Sequence, residues 1–333
     1  MVNDNPSDNI FNYFFKLIFN GHPLSLSILG TKKSLKNLYS SDILNYFNSN
    51  FDLNGIVLSA AGNINHKELV EKVKANIFNY NSNSGDSSSG TNSGTNSGDR
   101  SGDGSDGSSS VDGSSSVDGS GSIGSNSSDN SDKKNIMGKI LENKRLKKIY
   151  KGKTEASHIC YGGLGCMRKS HERYALSLFT NLLGGSMSSR LFQKIREEKG
   201  LSYTIFASNT QYTDTGVNAI YSATSPGNVY KVINLVNEEI SDIRKNGIKA
   251  EELEIAKENT KGNIVLGVED ISSRMFRLGK ALLIDEQVLT IDEILKNIDK
   301  VKLSDINDIV NKYFQTDKMS LVIIGKVNNG RPR

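Results

Sequence analysis

The sequence predicts an α+β fold: a sheet backed by long helices on one side, preceded by an incomplete copy of the same scheme. Three observations carry that expectation. Short alternating or β-branched runs at residues 156–164, 204–212 and 217–224 read as strands, and long helical periods cover residues 226–245 and 250–266. Two of those strands are joined through Thr-Asp-Thr-Gly at 213–216, a turn sequence. The first 80 residues end in a strand period and then a helical one, which is part of the same order.

The elements follow in chain order. Residues 9–19 place Phe11, Phe14, Phe15 and Ile18 at helical spacing. Gly-His-Pro-Leu-Ser-Leu-Ser-Ile-Leu-Gly follows as a loop punctuated by Pro23 and Gly30. Residues 34–47 carry Leu35, Leu38, Ile43, Leu44 and Phe47, which suits one helix or two short ones broken near Ser40 and Ser41. Residues 55–61 are a compact run that reads as a buried strand ended by Gly62, and residues 66–78 form an amphipathic helix with Leu69, Val70, Val73 and Ile77. In residues 81–132 Ser, Gly, Asn and Asp dominate and Ser-Ser-Ser-Val-Asp-Gly occurs twice in tandem. Such a stretch buries too little apolar area to offset its ordering entropy, so it reads as a disordered, mildly acidic linker. A second domain is expected from Ile136, with strands at 146–150 and 156–164 and a helix at 172–183. The strands at 204–212 and 217–224 come next, then the two long helices, further helix at 267–283, a short helix at 303–314 and a closing strand at 321–324. The expected domains are 1–80, 81–135 and 136–333.

Composition narrows the function. A net charge of +4 over 333 residues is small, which argues against an obligate nucleic-acid partner. The basic cluster around Lys144 to Lys153 is interrupted by Ile149 and Tyr150 and reads as a solvated strand. No run has the length of a membrane helix, and the N-terminus lacks a basic region followed by an apolar core. Cys160 and Cys166, on one face of an expected strand, are too far apart for an easy disulfide and read as buried thiols in a reducing compartment, cytoplasm or mitochondrial matrix. Gly162, Gly163 and Gly165 sit in a strand period with no Lys-Ser/Thr after them, so close sheet packing is favoured over a phosphate loop.

Residues 181–203, Asn-Leu-Leu-Gly-Gly-Ser-Met-Ser-Ser-Arg-Leu-Phe-Gln-Lys-Ile-Arg-Glu-Glu-Lys-Gly-Leu-Ser-Tyr, organise the remainder. Gly184 and Gly185 end one helix by taking backbone that other residues resist, and Ser188 or Ser189 caps the next. Leu191, Phe192 and Ile195 make its apolar stripe, with Arg190, Lys194, Glu197, Glu198 and Lys199 in water. Gly200 stops it, and Leu201, Tyr203 and Ile205 then alternate as a strand. Arg196 and Tyr203, seven apart around that glycine, supply a guanidinium and a phenol, both fixed donors for a peptide carbonyl or an oxyanion. Read without further context, Arg196 is solvated and Tyr203 is a core tyrosine.

The run from Gly184 through Gly216 closely resembles the C-terminal half of the pitrilysin/insulinase family of zinc metallopeptidases, nearest the bacterial and mitochondrial-processing-peptidase-like branch. The resemblance implies that Arg196 and Tyr203 reach toward a peptide or protein substrate held at zinc. Residues 22–35 and 57–73 are similar to the part of the N-terminal domain that follows the zinc helices, so the chain looks like one that begins in mid-domain. A catalytic zinc takes three protein ligands and an open position, and the family's signature is H-x-x-E-H plus a distal glutamate. The four histidines, His22, His66, His158 and His171, are scattered and write no such motif. The expectation is therefore the substrate-binding portion of a zinc endopeptidase, with no zinc held by this chain alone, acting with a homologous zinc-bearing chain or as a homo-oligomer. A non-catalytic processing-peptidase-like subunit and a truncated fragment are the alternatives.

Overall fold

The computed structural model describes residues 5–51, 55–83, 144–152 and 154–327. The linker expected at 81–135 lies, from residue 84 on, outside the described residues, as does the start expected for the second domain at Ile136. The chain divides into two compact units, Met1–Ala61 together with Asn130–Arg333, and Gly62–Asp129.

The first unit is built on a five-stranded sheet. Its strands are β1 (Lys147–Tyr150), β2 (Ser157–Gly165), β3 (Ser202–Gln211), β4 (Gly216–Thr224) and β5 (Ser320–Ile324), in the order β1-β5-β2-β4-β3. β1 runs parallel to β5 and every other pairing is antiparallel. Strand alternation divides the core in two. Ile159, Tyr161, Ile205, Ala207, Ile220, Leu321 and Ile323 face one core, and Cys160, Leu164, Val217, Ala219, Tyr221, Val322 and Ile324 face the other.

The helices of the first core are α5 (Glu172–Thr180), α6 (Val229–Asn246), α7 (Ala250–Gly267), α9 (Ile291–Asp299) and α10 (Leu303–Tyr313); α8 (Ile271–Lys280), between α7 and α9 in the chain, buries no residue. α6 buries Val232, Val236, Ile240 and Ile243 at helical spacing and ends at Gly247, whose φ of 73° is left-handed. α9 was not expected from the sequence. Its signal is a capping box in which the Thr290 hydroxyl accepts from the Glu293 amide and Glu293 accepts from the Thr290 amide.

The sheet is not backed on one side only, because α1 (Pro6–Ile18) covers the second face. Asn5 caps it by accepting from the Ser7 amide, Pro6 opens its first turn, and Ile10, Phe14 and Phe19 are fully buried against the sheet. Phe11 stacks on Tyr221 at 5.8 Å between centroids and Tyr13 on Tyr150 at 4.0 Å. This helix, counted from sequence within a domain of residues 1–80, shares its core with β2, β4 and β5.

After a single turn at Pro23–Ser25, residues 34–47 resolve into two helices, α2 (Lys32–Lys36) and α3 (Ser40–Asn50), separated at 37–39. The strand expected at 55–61 does not form: the described residues there are irregular apart from one 3₁₀ residue at Gly55. A strand exists only through its ladder partners, and among the described residues none pairs with this run, whose Ser59 hydroxyl instead donates to the Met275 carbonyl at 2.8 Å. In the second unit α4 (His66–Asn83) is the described element, with Lys72 paired to Glu68 one turn earlier at 2.6 Å.

Candidate functional site

The segment between α5 and β3 is held by packing first. α5 continues into a π-helical turn, Asn181–Gly185. Gly184 there has an extended φ of −160°, so it is not demanded by backbone strain. A Cβ at Gly184 would lie 2.5 Å from the Ala207 amide nitrogen, so the glycine lets the turn lie directly on β3. In the next π-helical segment, Phe192–Glu198, Ile195 is completely buried, as is Leu191 just before it, and Phe192 is half-buried. Ser189 does not cap it by accepting; its hydroxyl donates back to the Ser186 carbonyl, and its own carbonyl takes the Gln193 amide at 3.0 Å.

Arg190 and Lys194 are not solvated as expected. Arg190 makes a two-pronged contact with Glu252 at 2.8 Å on each arm and donates to Glu239 at 2.9 Å, and Lys194 reaches the other Glu239 oxygen at 2.7 Å. The Arg190 hydrogen bonds hold the Glu252 carboxyl below its usual range, against the opposing effect of burial. Glu239 itself is buried, so this network fixes the segment against α6 and α7.

The segment leaves through Gly200 at φ 59°, its amide donating to the Arg196 carbonyl at 3.1 Å and that of Leu201 to Ile195 at 3.0 Å. Strand β3 then begins with a bulge: Ser202 pairs with Thr224 and Thr204 with Ala223, leaving Tyr203 as the extra residue. Ser202 is buried and its hydroxyl meets Ser222 Oγ at 2.7 Å and the Ala223 carbonyl at 2.9 Å, while the Thr224 hydroxyl donates to Leu201. The bulge breaks the alternation that would have put Tyr203 beside Ile205 in the core. Ile205 is buried and Tyr203 is 65% exposed.

Arg196 is on the last turn before Gly200, with 44% of its side chain exposed. Its guanidinium carbon lies over the Phe192 ring, 4.7 Å from the centroid, its Nε is 3.9 Å from Glu197, and a guanidinium carries five N–H donors. The Tyr203 hydroxyl makes no hydrogen bond among the described residues. The bulge clamp of Ser202, Ser222 and Thr224 was not singled out from the sequence, because its partners are twenty or more residues apart.

Other residues weighed in the sequence have structural partners. His22 Nδ1 accepts from the Leu24 amide at 3.2 Å, which leaves the proton on Nε2 to donate to Asp214 at 2.9 Å. Asp214 lies in the Tyr212–Gly216 turn, where the Tyr212 amide donates to Thr215 at 2.8 Å. His158 Nδ1 meets the Tyr221 hydroxyl at 2.8 Å, and burial lowers its pKa. Cys160 and Cys166 are both free and buried, but they do not share a face: β2 ends at Gly165, so Cys166 turns into the first core. Among the described residues no three His, Cys, Asp or Glu side chains converge, so they offer zinc no ligand set.

Residues 37–260 match the family described as the peptidase M16 inactive domain. Over 330 residues the chain is 27% identical to the uncharacterized zinc protease YmxG of Bacillus subtilis strain 168, covering 99% of this chain and 68% of the relative. It is 25% identical over 329 residues to an uncharacterized zinc protease of Streptomyces coelicolor, covering 99% of this chain and 62% of the relative. The chain thus spans roughly two thirds of the length of these curated relatives. In fold it is similar to a protease from Helicobacter pylori, with a TM-score of 0.68 at 15% identity, covering 97% of this chain and 68% of that one. The sheet with its helical layer, the glycine-ended segment before β3 and the family match over two thirds of the sequence lead to one conclusion: the chain belongs to the peptidase M16 inactive-domain family.

Proposed function

We propose that this chain is the substrate-holding portion of a zinc metalloendopeptidase, acting on peptides or presequences beside a homologous zinc-bearing chain. The observation that carries the reading is the exposure of Arg196 and Tyr203 on either side of the Gly200 turn, each with donors to spare, on a segment immobilised by buried packing and ion pairs. Family membership and relatives named as zinc proteases support it. Arg196 offers N–H donors and Tyr203 an O–H donor to the carbonyl oxygens of an extended peptide, and a preorganised donor is worth most where negative charge develops. Zinc, when held by the partner chain, would supply Lewis-acid chemistry.

The test is co-expression with a homologue that carries H-x-x-E-H, followed by cleavage of a quenched fluorogenic peptide. Arg196→Ala and Tyr203→Phe are each expected to lower kcat/KM by about 100-fold or more, the loss that follows removal of one transition-state donor. Unchanged cleavage by the Arg196→Ala complex would remove the assigned role. A complex that cleaves nothing in any form would favour a structural, processing-peptidase-like subunit.

A further inference from the structure

A cavity of about 750 Å³ opens at the opposite end of β3 from Tyr203, walled by the segment after β2 and by α5, α7, α8 and α9. Gln211 in its wall is the last residue of the strand in which Tyr203 is the second, and eight residues at roughly 3.4 Å each place the two about 27 Å apart. The volume suits a small-molecule ligand.

The wall is unbalanced in charge. It carries Arg168, Lys169, Arg173, Arg277 and Lys280 against one carboxylate, Asp285. Arg168 takes that carboxylate with two contacts, 2.7 and 2.8 Å. Lys169 has Glu286 at 3.9 Å. Arg173 donates only to neutral oxygens, the Arg168 carbonyl at 3.1 Å and the Tyr174 hydroxyl at 2.8 Å. Arg277 donates from Nη1 to the Leu289 carbonyl at 3.0 Å, but its Nε is buried with no partner. Lys280 has no carboxylate partner among the described residues. Thr260 Oγ1, also in the wall, is the second buried polar atom left unpartnered there.

Three cations and two orphaned polar atoms thus share one cavity, which is what an anion with several acceptor oxygens would satisfy. A phosphate monoester brings a charge of about −1.5 to −2 and three acceptor oxygens, whereas a carboxylate brings one charge and two. The remainder of the wall includes Ile264, Leu289 and Ile294, surface that inorganic phosphate alone would leave unused. We propose that this cavity binds a small organic phosphate, its phosphate held by Arg173, Arg277 and Lys280 and its apolar body against Ile264, Leu289 and Ile294. The assignment is independent of the peptide-holding role of Arg196 and Tyr203.

The whole chain titrated calorimetrically with phenyl phosphate, inorganic phosphate and benzyl alcohol tests it. Phenyl phosphate is expected to bind tightest, and more weakly as salt is raised. Lys280→Gln, a change at an exposed position that leaves the core intact, is expected to weaken phenyl phosphate about tenfold, and Arg277→Gln at least as much. Arg196→Ala is expected to bind it like the unaltered chain. The proposal is overturned if phenyl phosphate binds no better than benzyl alcohol, if inorganic phosphate binds equally well, or if Lys280→Gln has no effect.

Discussion

At the scale of single residues, two glycines show the difference between a local requirement and a distant one. Gly200 is left-handed with open space where a Cβ would go, so only its backbone conformation asks for glycine. Gly200→Ala is expected to cost about 1–2 kcal/mol, the strain of a left-handed non-glycine residue, in a chain that still folds. At Gly162 a Cβ would come within 1.9 Å of the Asn218 carbonyl oxygen on β4, a backbone atom that cannot step aside. Gly162→Ala is expected to cost more than about 4 kcal/mol or to prevent folding. Urea unfolding of both variants is the measurement, and equal losses would contradict the distinction. Gly200 was legible as a helix stop because the αL exit is a property of its immediate neighbours. The demand at Gly162 could be named only as close sheet packing, since the atom it avoids is 56 residues away. Tyr203 is the reverse case. Period-two alternation placed it with Ile205 in the core, and the bulge against Thr224 and Ala223 turned it outward.

At the scale of elements, α1 is the largest departure from expectation. Its aromatic spacing was readable, but the surface it covers was not, because that surface comes from strands more than 140 residues later in the chain. Removing the Phe14 ring takes away fully buried area and is expected to cost about 3–5 kcal/mol of docking. Phe14→Ala should therefore free α1 while the paired strands persist. Cys160 reports on this: it is buried in the same cluster, and burial raises its thiol pKa well above the ordinary value. Site-resolved iodoacetamide labelling is expected to be faster in the variant, with amide exchange rising in α1 and not in β2 or β4. A Cys160 that stays unreactive would show that α1 remains seated without the ring. Residues 55–61 teach the converse. Their composition suits a strand, but composition supplies no hydrogen-bond partners.

At the scale of the whole molecule, carboxylates tie elements together and make stability depend on acid. Glu252 is held below the ordinary glutamate value chiefly by the Arg190 hydrogen bonds, and Asp285 below the ordinary aspartate value by those of Arg168. A folded-state pKa below the unfolded one gives stability that is present above the unfolded value and lost as pH falls through the folded value. Tm is thus expected to hold near neutral pH and to fall once pH passes below about 4. Glu252→Gln should lower Tm at neutral pH, by an amount equivalent to about 1–2 kcal/mol, and flatten the acid limb. Melting curves across that range decide it, and an acid limb as steep in the variant would place the sensitivity elsewhere.

Period, capping chemistry and glycine exits are properties of residues within a few positions of one another. For that reason the sequence by itself determined the α+β class, the two long helices, most of the sheet and, through the run from Gly184 to Gly216, the metallopeptidase kinship. Where Tyr203 points, what α1 covers, which carboxylates Arg190 engages and which cations meet around one cavity were decided only by the tertiary structure. Each depends on a partner far along the chain, and a local pattern carries no record of which distant surface will be opposite it.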